Sequence, residues 1–180
     1  MMWWIKAASV VLGTILCCGC DYGLKVPLGS VNEASIDEQL VGLWTCIERT
    51  SKEVISGETL FLRFNDREYF LKMSGESSIL SEPNKTPVNL TSFARAYSTE
   101  ISGTNFLNVQ NIFISGKRRY VFYSYSMPSP DNLIIKFVDM NIFPEDLSTI
   151  AEARRIVLEK INDPDLYEDD TMKCERDQDG

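Results

Sequence analysis

The chain has 180 residues, and its 26 acidic residues outnumber its 18 basic ones, which gives a formal net charge of −8. This balance argues against nucleic acid as a partner, because binding a phosphate backbone requires a basic surface. The chain contains no histidine, which excludes Ser-His and Cys-His nucleophile pairs, most catalytic zinc or copper sites and a c-type haem site.

Residues 1–19 have the pattern of a targeting segment. Lys6 precedes an apolar run from Ala7 to Leu16, and the run leads into Cys17-Cys18-Gly19-Cys20. The run is shorter than the ~20 apolar residues that a membrane-spanning helix needs. The segment resembles the signal peptide of bacterial lipoproteins, which implies lipidation of Cys20. The alternative is an ordinary secretory signal followed by a free or disulfide-bonded Cys20.

The lipoprotein resemblance implies a location in the cell. Acyl chains on Cys20 would anchor the protein stably in the membrane of a bacterial cell envelope, facing the periplasm in a Gram-negative host. Asp21 in similar enterobacterial proteins favours the inner membrane, and the sequence leaves inner versus outer open. The mature chain carries 17 basic and 26 acidic residues, a net charge of −9, because Lys6 is removed with the signal. Residues 20–35 lack periodicity, so we expect the lipidated cysteine and a flexible tether there.

A β-barrel-like domain with a C-terminal helix is predicted over residues 36–162. Ser35 is expected to cap a short helix that ends at Gln39. Seven segments rich in β-branched or aromatic residues are predicted strands: 41–50, 58–65, 67–73, 89–101, 105–115, 118–127 and 133–142.

The segments between these strands have turn or loop character. Turns at Asn65-Asp66, Gly103 and Gly116-Lys117 predict an antiparallel meander. Residues 128–132 contain too much proline to lie inside a sheet, and residues 74–88 are expected to form the longest loop. The basic cluster Lys117-Arg118-Arg119 is interpreted as a solvated hairpin tip.

An amphipathic helix is predicted after Asp146 or Ser148 as the cap, with apolar positions from Ile150 to Ile161 at helical spacing. Asn162-Asp163-Pro164 ends it, and residues 163–180 are expected to form an acidic tail. The tail departs from an EF-hand pattern and leaves only a loose calcium site as an alternative.

Two cysteines remain in the mature chain when Cys20 is acylated, namely Cys46 and Cys174. An even pair in an oxidising compartment predicts a disulfide between them. The bond would close a loop of well over a hundred residues, which the chain-entropy model values at ~4 to 5 kcal/mol. The alternative is a buried free Cys46 and an unpaired Cys174.

The order of elements carries a family resemblance. A short helix leads into Gly42-Leu43-Trp44, and a meander, a helix and a tail-to-strand disulfide follow. This order resembles the lipocalin (calycin-type) plan, which implies a mainly β fold, either an antiparallel barrel or a strongly curved sheet. The resemblance implies that Trp44 is a structural plug at one end and that the other end holds a small apolar ligand. Seven predicted strands are one fewer than the eight of that barrel, and the sequence does not identify the arginine that usually stacks on the plug.

A second resemblance covers most of the mature domain. Phe93-Ala94-Arg95-Ala96-Tyr97, Ile101-Ser102-Gly103 and Phe106 to Gln110 are similar to segments of a group of small uncharacterised bacterial lipoproteins. This likeness implies no activity, substrate or site.

Two functional hypotheses follow, and neither involves a cofactor or a metal. The first is a non-catalytic binding module for a small apolar or amphipathic ligand, because aromatic residues alternate along the strands and one face could line a cavity. The second is an envelope interaction or accessory protein that acts through protein–protein contacts. An enzyme is a third alternative, because charged residues on predicted strands could meet in a cavity, namely Glu48, Glu58, Arg63, Arg95 and Glu100.

Overall fold

The computed structural model describes residues 23–49, 53–79, 88–111 and 119–177. Within these ranges eight antiparallel strands close into a barrel in chain order. The strands are β1 (Gly42–Arg49), β2 (Glu53–Arg63), β3 (Tyr69–Ile79), β4 (Val88–Ile101), β5 (Thr104–Asn111), β6 (Tyr120–Ser129), β7 (Asn132–Val138) and β8 (Tyr167–Arg176). The predicted mainly β meander is confirmed, and the barrel is closed by pairing of β8 with β1.

The meander gives the barrel two distinct ends. One end holds the start of β1 and the β2–β3, β4–β5 and β6–β7 turns, and we name it the closed end. The opposite end, named the open end, holds the four other connections. Three of these, residues 50–52, 80–87 and 112–118, lie outside the described residues, and so does most of the predicted hairpin tip at Lys117-Arg118-Arg119.

The pairing register shows how wide the barrel is. If paired residues are followed from strand to strand around the barrel, the path that starts at Glu100 on β4 returns to β4 at Val88. Glu100 and Val88 are twelve residues apart, so the strands are strongly tilted against the barrel axis. Eight tilted strands enclose a space that side chains fill or that holds one small ligand.

The turns at the closed end follow the local sequence. Ser102 and Gly103 have φ values of 51° and 78°, the left-handed conformations that a two-residue hairpin requires. The side chain of Asn65 accepts hydrogen bonds from the backbone N–H groups of Arg67 and Glu68. The predicted turns at Gly103 and Asn65-Asp66 are confirmed.

Several predicted boundaries were wrong. The predicted loop at 74–88 is shorter, because β3 continues to Ile79. Pro128 lies within β6 beside a register shift, where a residue without an N–H group is tolerated. No helix follows Ser35; instead Ser30 caps a 3₁₀ helix at Val31–Glu33.

The helix α1 (Ile150–Glu159) lies between β7 and β8 and packs on the outer wall of the barrel. Thr149 is its N-cap rather than Asp146 or Ser148, and its buried residues are Ala153 and Val157. Short 3₁₀ helices at Met140–Ile142 and Pro164–Leu166 flank it along the chain. Among the described residues, no helix has the length and apolar character that a membrane crossing would need.

The expected acidic tail is largely part of the barrel. Residues 167–176 form β8, which pairs with β7 and with β1. The acidic composition hid this strand, because charged Asp169, Lys173 and Glu175 face solvent while Cys174 is buried. Asp163 caps the 3₁₀ helix that precedes β8, through a hydrogen bond from the backbone of Asp165.

The expected flexible tether is also held against the barrel over its described part. Residues 23–30, named the strap, run along the outer wall of β4, β5 and β6. Leu24 pairs with Tyr120 through two backbone hydrogen bonds of 2.8 Å, and Leu28 is fully buried. Both leucines belong to an apolar cluster that the strap shares with α1 and the outer wall.

Candidate functional site

The side chains that point into the barrel change their burial at one level. In the layers around Trp44 they are buried, as Tyr69 and Leu71 are on β3, whereas Ser98 and Met127 at the rim of the closed end are partly buried. The next inward residue on β3, Met73, is only partly buried. The same change occurs along β2, β4, β6, β7 and β8, and the next inward side chains of β1 and β5 lie outside the described residues. The half of the barrel at the open end is therefore accessible.

This accessible half, named the cup, has two contrasting walls. Met73 and small residues on β2, β3 and β4 form one wall, and larger apolar residues on β6, β7 and β8 form the other. Tyr123 and Phe137 pack edge to face across two of these strands, with ring centroids 5.1 Å apart. The cup comprises Gly57, Met73, Gly75, Ser92, Val121, Tyr123, Phe137 and Met172.

Trp44 fills the closed end below the cup. It is fully buried, and its Nε1 donates a hydrogen bond of 2.9 Å to the carbonyl oxygen of Leu40. The guanidinium of Arg176 lies 4.3 Å from the centre of the Trp44 ring. It also donates hydrogen bonds to the carbonyl oxygens of Val41 and Gln39, which lie just before β1.

Arg176 also explains the glycine two residues before the tryptophan. Gly42 has a φ of 135°, and a Cβ atom there would lie 2.8 Å from Arg176 Nη1. Glycine is therefore favoured by the backbone conformation, and a side chain at this position would also have to displace the guanidinium. The arginine that sequence analysis did not identify is in the segment that was assigned to the tail.

A polar layer completes the closed end. The Tyr125 hydroxyl donates to a carboxylate oxygen of Asp37 at 3.3 Å, and it lies 3.2 Å from Ser98 Oγ. Beside these groups is a cleft of about 370 Å³, which is also lined by Glu100 and Arg154. This cleft lies outside the apolar core, and its lining is too polar for an apolar ligand.

The predicted disulfide is confirmed. Cys46 and Cys174 face each other in the β1–β8 register, both are buried, and their sulfur atoms are 2.06 Å apart. The bond therefore joins the first and last strands inside the barrel. Cys20 lies outside the described residues.

The charged residues that sequence analysis considered for catalysis do not meet in the cup. Glu58 and Glu100 are exposed. Arg63 forms ion pairs near the closed end, and Arg95 forms one on the outer wall. The side chain of Glu48 is not among those described.

The aromatic residues divide between the two faces of the wall. Those that point inward include Phe61, Tyr69, Tyr123 and Tyr125, together with Trp44 and Phe137. Those that point outward are Phe64, Phe70, Phe106, Tyr120 and Phe122, and Phe113 lies outside the described residues.

The chain matches no protein-family model and no curated protein. Among solved structures it is similar to a de novo designed fluorescence-activating β-barrel, with 14% identity over 78% of this chain and 95% of that one, at a TM-score of 0.44. It is also similar to the redesigned β-barrel mFAP0 bound to DFHBI, with 13% identity over 77% and 99% of the two chains and a TM-score of 0.44. It is similar as well to the redesigned β-barrel mFAP1 bound to DFHBI, with 11% identity over 77% of this chain and 96% of that one, at a TM-score of 0.45.

Proposed function

We propose that the protein is a non-catalytic binding module of the bacterial cell envelope, anchored by lipid at Cys20, that holds a small apolar or amphipathic ligand in the cup. The observation that carries the proposal is the change in burial at one level of the barrel. Packed side chains fill the half below that level, whereas Met73, Tyr123 and Phe137 leave accessible apolar surface above it. Apolar concave surface with few polar groups is the usual chemistry of a small-molecule pocket.

Filling the cup tests the site. Ser92 points into the cup from β4, and Thr91 is its exposed neighbour on the outer face. The Ser92→Phe variant is expected to bind the apolar probe N-phenyl-1-naphthylamine about tenfold more weakly than the parent protein, a difference of about 1.4 kcal/mol. The matched Thr91→Phe variant is expected to bind it as the parent does. Equal affinity of both variants would place the probe outside the cup.

Three further measurements separate the parts of the proposal. Native mass spectrometry of the domain purified from its own periplasm is expected to detect a discrete ligand mass. The mass of the N-terminal peptide is expected to include acyl chains on Cys20, and Cys20→Ala is expected to release the protein from the membrane fraction. An unmodified Cys20 would remove the anchor and leave the binding site untouched.

An apolar patch on the outer wall favours a second candidate function, contact with an envelope protein. Leu62 and Phe64 are 45% and 54% exposed, and Leu62 pairs with partly buried Phe70 on the next strand. Exposed apolar groups in one place are typical of interaction surfaces. A photo-crosslinking residue at Leu62 is expected to form one discrete adduct in native membranes, whereas the same residue at exposed Glu58 on β2 is not. Monomer alone at both positions would dismiss this candidate.

A further inference from the structure

The strap is fixed to the barrel at both of its ends. At the first, Leu24 and Tyr120 exchange two backbone hydrogen bonds of 2.8 Å. At the second, Leu28 N–H donates to Asn108 Oδ1 at 2.7 Å, and the Tyr97 hydroxyl donates to the Gly29 carbonyl oxygen at 2.7 Å. Leu28 and Asn108 are fully buried. The strap is therefore attached to the outer wall near both of its ends.

The strap also has a defined direction. Tyr120 is the first residue of β6 and lies at the open end. From there the chain runs toward the closed end, where Asp37 contacts Tyr69 and Tyr125. Gly23, where the described chain begins, also lines a groove of about 590 Å³ with Asn141, which follows β7 at the open end. The chain therefore enters the barrel at the open end.

Three peptide units separate Cys20 from Gly23, and three residues span at most about 11 Å when fully extended. By contrast, the seven residues of β7 extend roughly 23 Å along the tilted strand that connects the two ends of the wall. An acyl group on Cys20 must lie in the bilayer, and the chain that joins it to Gly23 is too short to reach the closed end. We propose that the strap holds the barrel with its open end against the membrane.

This inference rests on the proposed acylation of Cys20, and it names the partner of the open end as a lipid surface. A ligand that left the cup through that end would meet the bilayer before it met water. The exposed apolar patch at Leu62 and Phe64 lies at the closed end, and it would point away from the membrane.

A chemical tether tests the orientation without depending on acylation in cells. In a chain that begins at Cys20 and is made without acylation, Cys20 is the one cysteine outside the bond between Cys46 and Cys174, so it can be coupled to maleimide-headgroup lipids in phosphatidylcholine vesicles. A fluorophore is attached through a non-natural amino acid at Asn141 or at Asn132, which are exposed and flank the two ends of β7. The vesicles carry lipids with a nitroxide on the headgroup, which quenches at short range.

Quenching is expected to be severalfold stronger at Asn141 than at Asn132. The difference is expected to disappear when a long Gly-Ser linker is inserted between Asp21 and Tyr22, which leaves every described contact intact. Equal quenching at both positions in the protein without the linker, or stronger quenching at Asn132, would overturn the inference. The proposed anchor has its own readout in the mass of the N-terminal peptide, so the two failures are distinguishable.

Discussion

Arg176 joins three separate parts of the chain at the closed end. Its guanidinium lies over the Trp44 ring and donates to carbonyl oxygens of Gln39, Val41 and Pro130. These acceptors belong to the segment before β1 and to the β6–β7 turn. One side chain thus contacts Trp44, the segment before β1 and the β6–β7 turn.

Arg176→Ala is expected to lower the free energy of unfolding by about 3 kcal/mol, because it removes a cation–π contact and charge-assisted hydrogen bonds that are partly sheltered from water. Urea unfolding followed by Trp44 fluorescence measures the loss. The control is Arg155→Ala, which removes an exposed ion pair with Glu159 on α1 and is expected to cost at most about 0.5 kcal/mol. A loss for Arg176→Ala no larger than the control would contradict this role.

Three tyrosines in the wall of the barrel predict how its stability depends on pH. Burial raises the pKa of Tyr69, Tyr97 and Tyr125 above the ordinary value of about 10. The unfolded chain therefore loses these protons at a lower pH than the folded chain does. Stability is expected to be constant with respect to these groups below pH about 10 and to fall as pH rises beyond it.

Tyrosinate absorbance and circular dichroism, recorded together during an alkaline titration, check this prediction. The absorbance of the three buried tyrosines is expected to appear only when the β-sheet signal is lost. The Tyr125→Phe variant is expected to have a shallower decline of stability with pH than the parent protein. Full ionisation of all tyrosines with an intact β-sheet signal would show the prediction to be wrong.

Among the strands, β8 was expected to be an acidic tail. Removing it tests whether the barrel needs this segment. It pairs with both of its neighbours and supplies Cys174 and Arg176. A chain that ends at Asn162 is expected to lose the barrel, because β1 and β7 would both expose unpaired edges and the closed end would lose its arginine. Far-ultraviolet circular dichroism and Trp44 emission measure the outcome. Removal of residues 178–180 alone is the control and is expected to leave both signals unchanged.

The sequence contained a signal for this strand that composition obscured. An antiparallel pairing that places Cys46 opposite Cys174 also places Trp44 opposite Arg176. The predicted disulfide therefore contained the information needed to identify the arginine that stacks on Trp44. Acidic residues concealed it, because a surface strand alternates and the exposed face of β8 consists of the charged residues Asp169, Lys173 and Glu175 with Thr171.

At the scale of the whole molecule, the meander could be predicted but the cup could not. Alternation within a strand identifies its buried face, and it predicted most of the wall correctly. The stagger of twelve residues accumulates over eight pairings, and a single strand does not encode it. The position of the strap could not be predicted either, because Leu24 and Leu28 pack on a surface that exists only when β4, β5 and β6 are assembled.

The disulfide makes a prediction for the stability of the whole barrel. Cys46 and Cys174 are 128 residues apart in sequence. Replacing both by alanine is expected to lower the free energy of unfolding by roughly 4 kcal/mol, because the unfolded chain regains the freedom of a long open loop. Urea unfolding with and without a reductant measures it. In the reductant, parent and variant are expected to become nearly equal, and a variant as stable as the oxidised parent would contradict the prediction.

The same bond determines what happens when the chain is pulled from its two ends. Tension that enters along the strap and the first half of β1 reaches Cys46, crosses the sulfur–sulfur bond to Cys174, and leaves through the last residues of β8. The backbone between those two cysteines lies outside this covalent path, so it carries no tension once the contacts of the strap have broken. A pull on the two ends of the chain would then extend the short outer segments, while the walls of the cup would keep their shape.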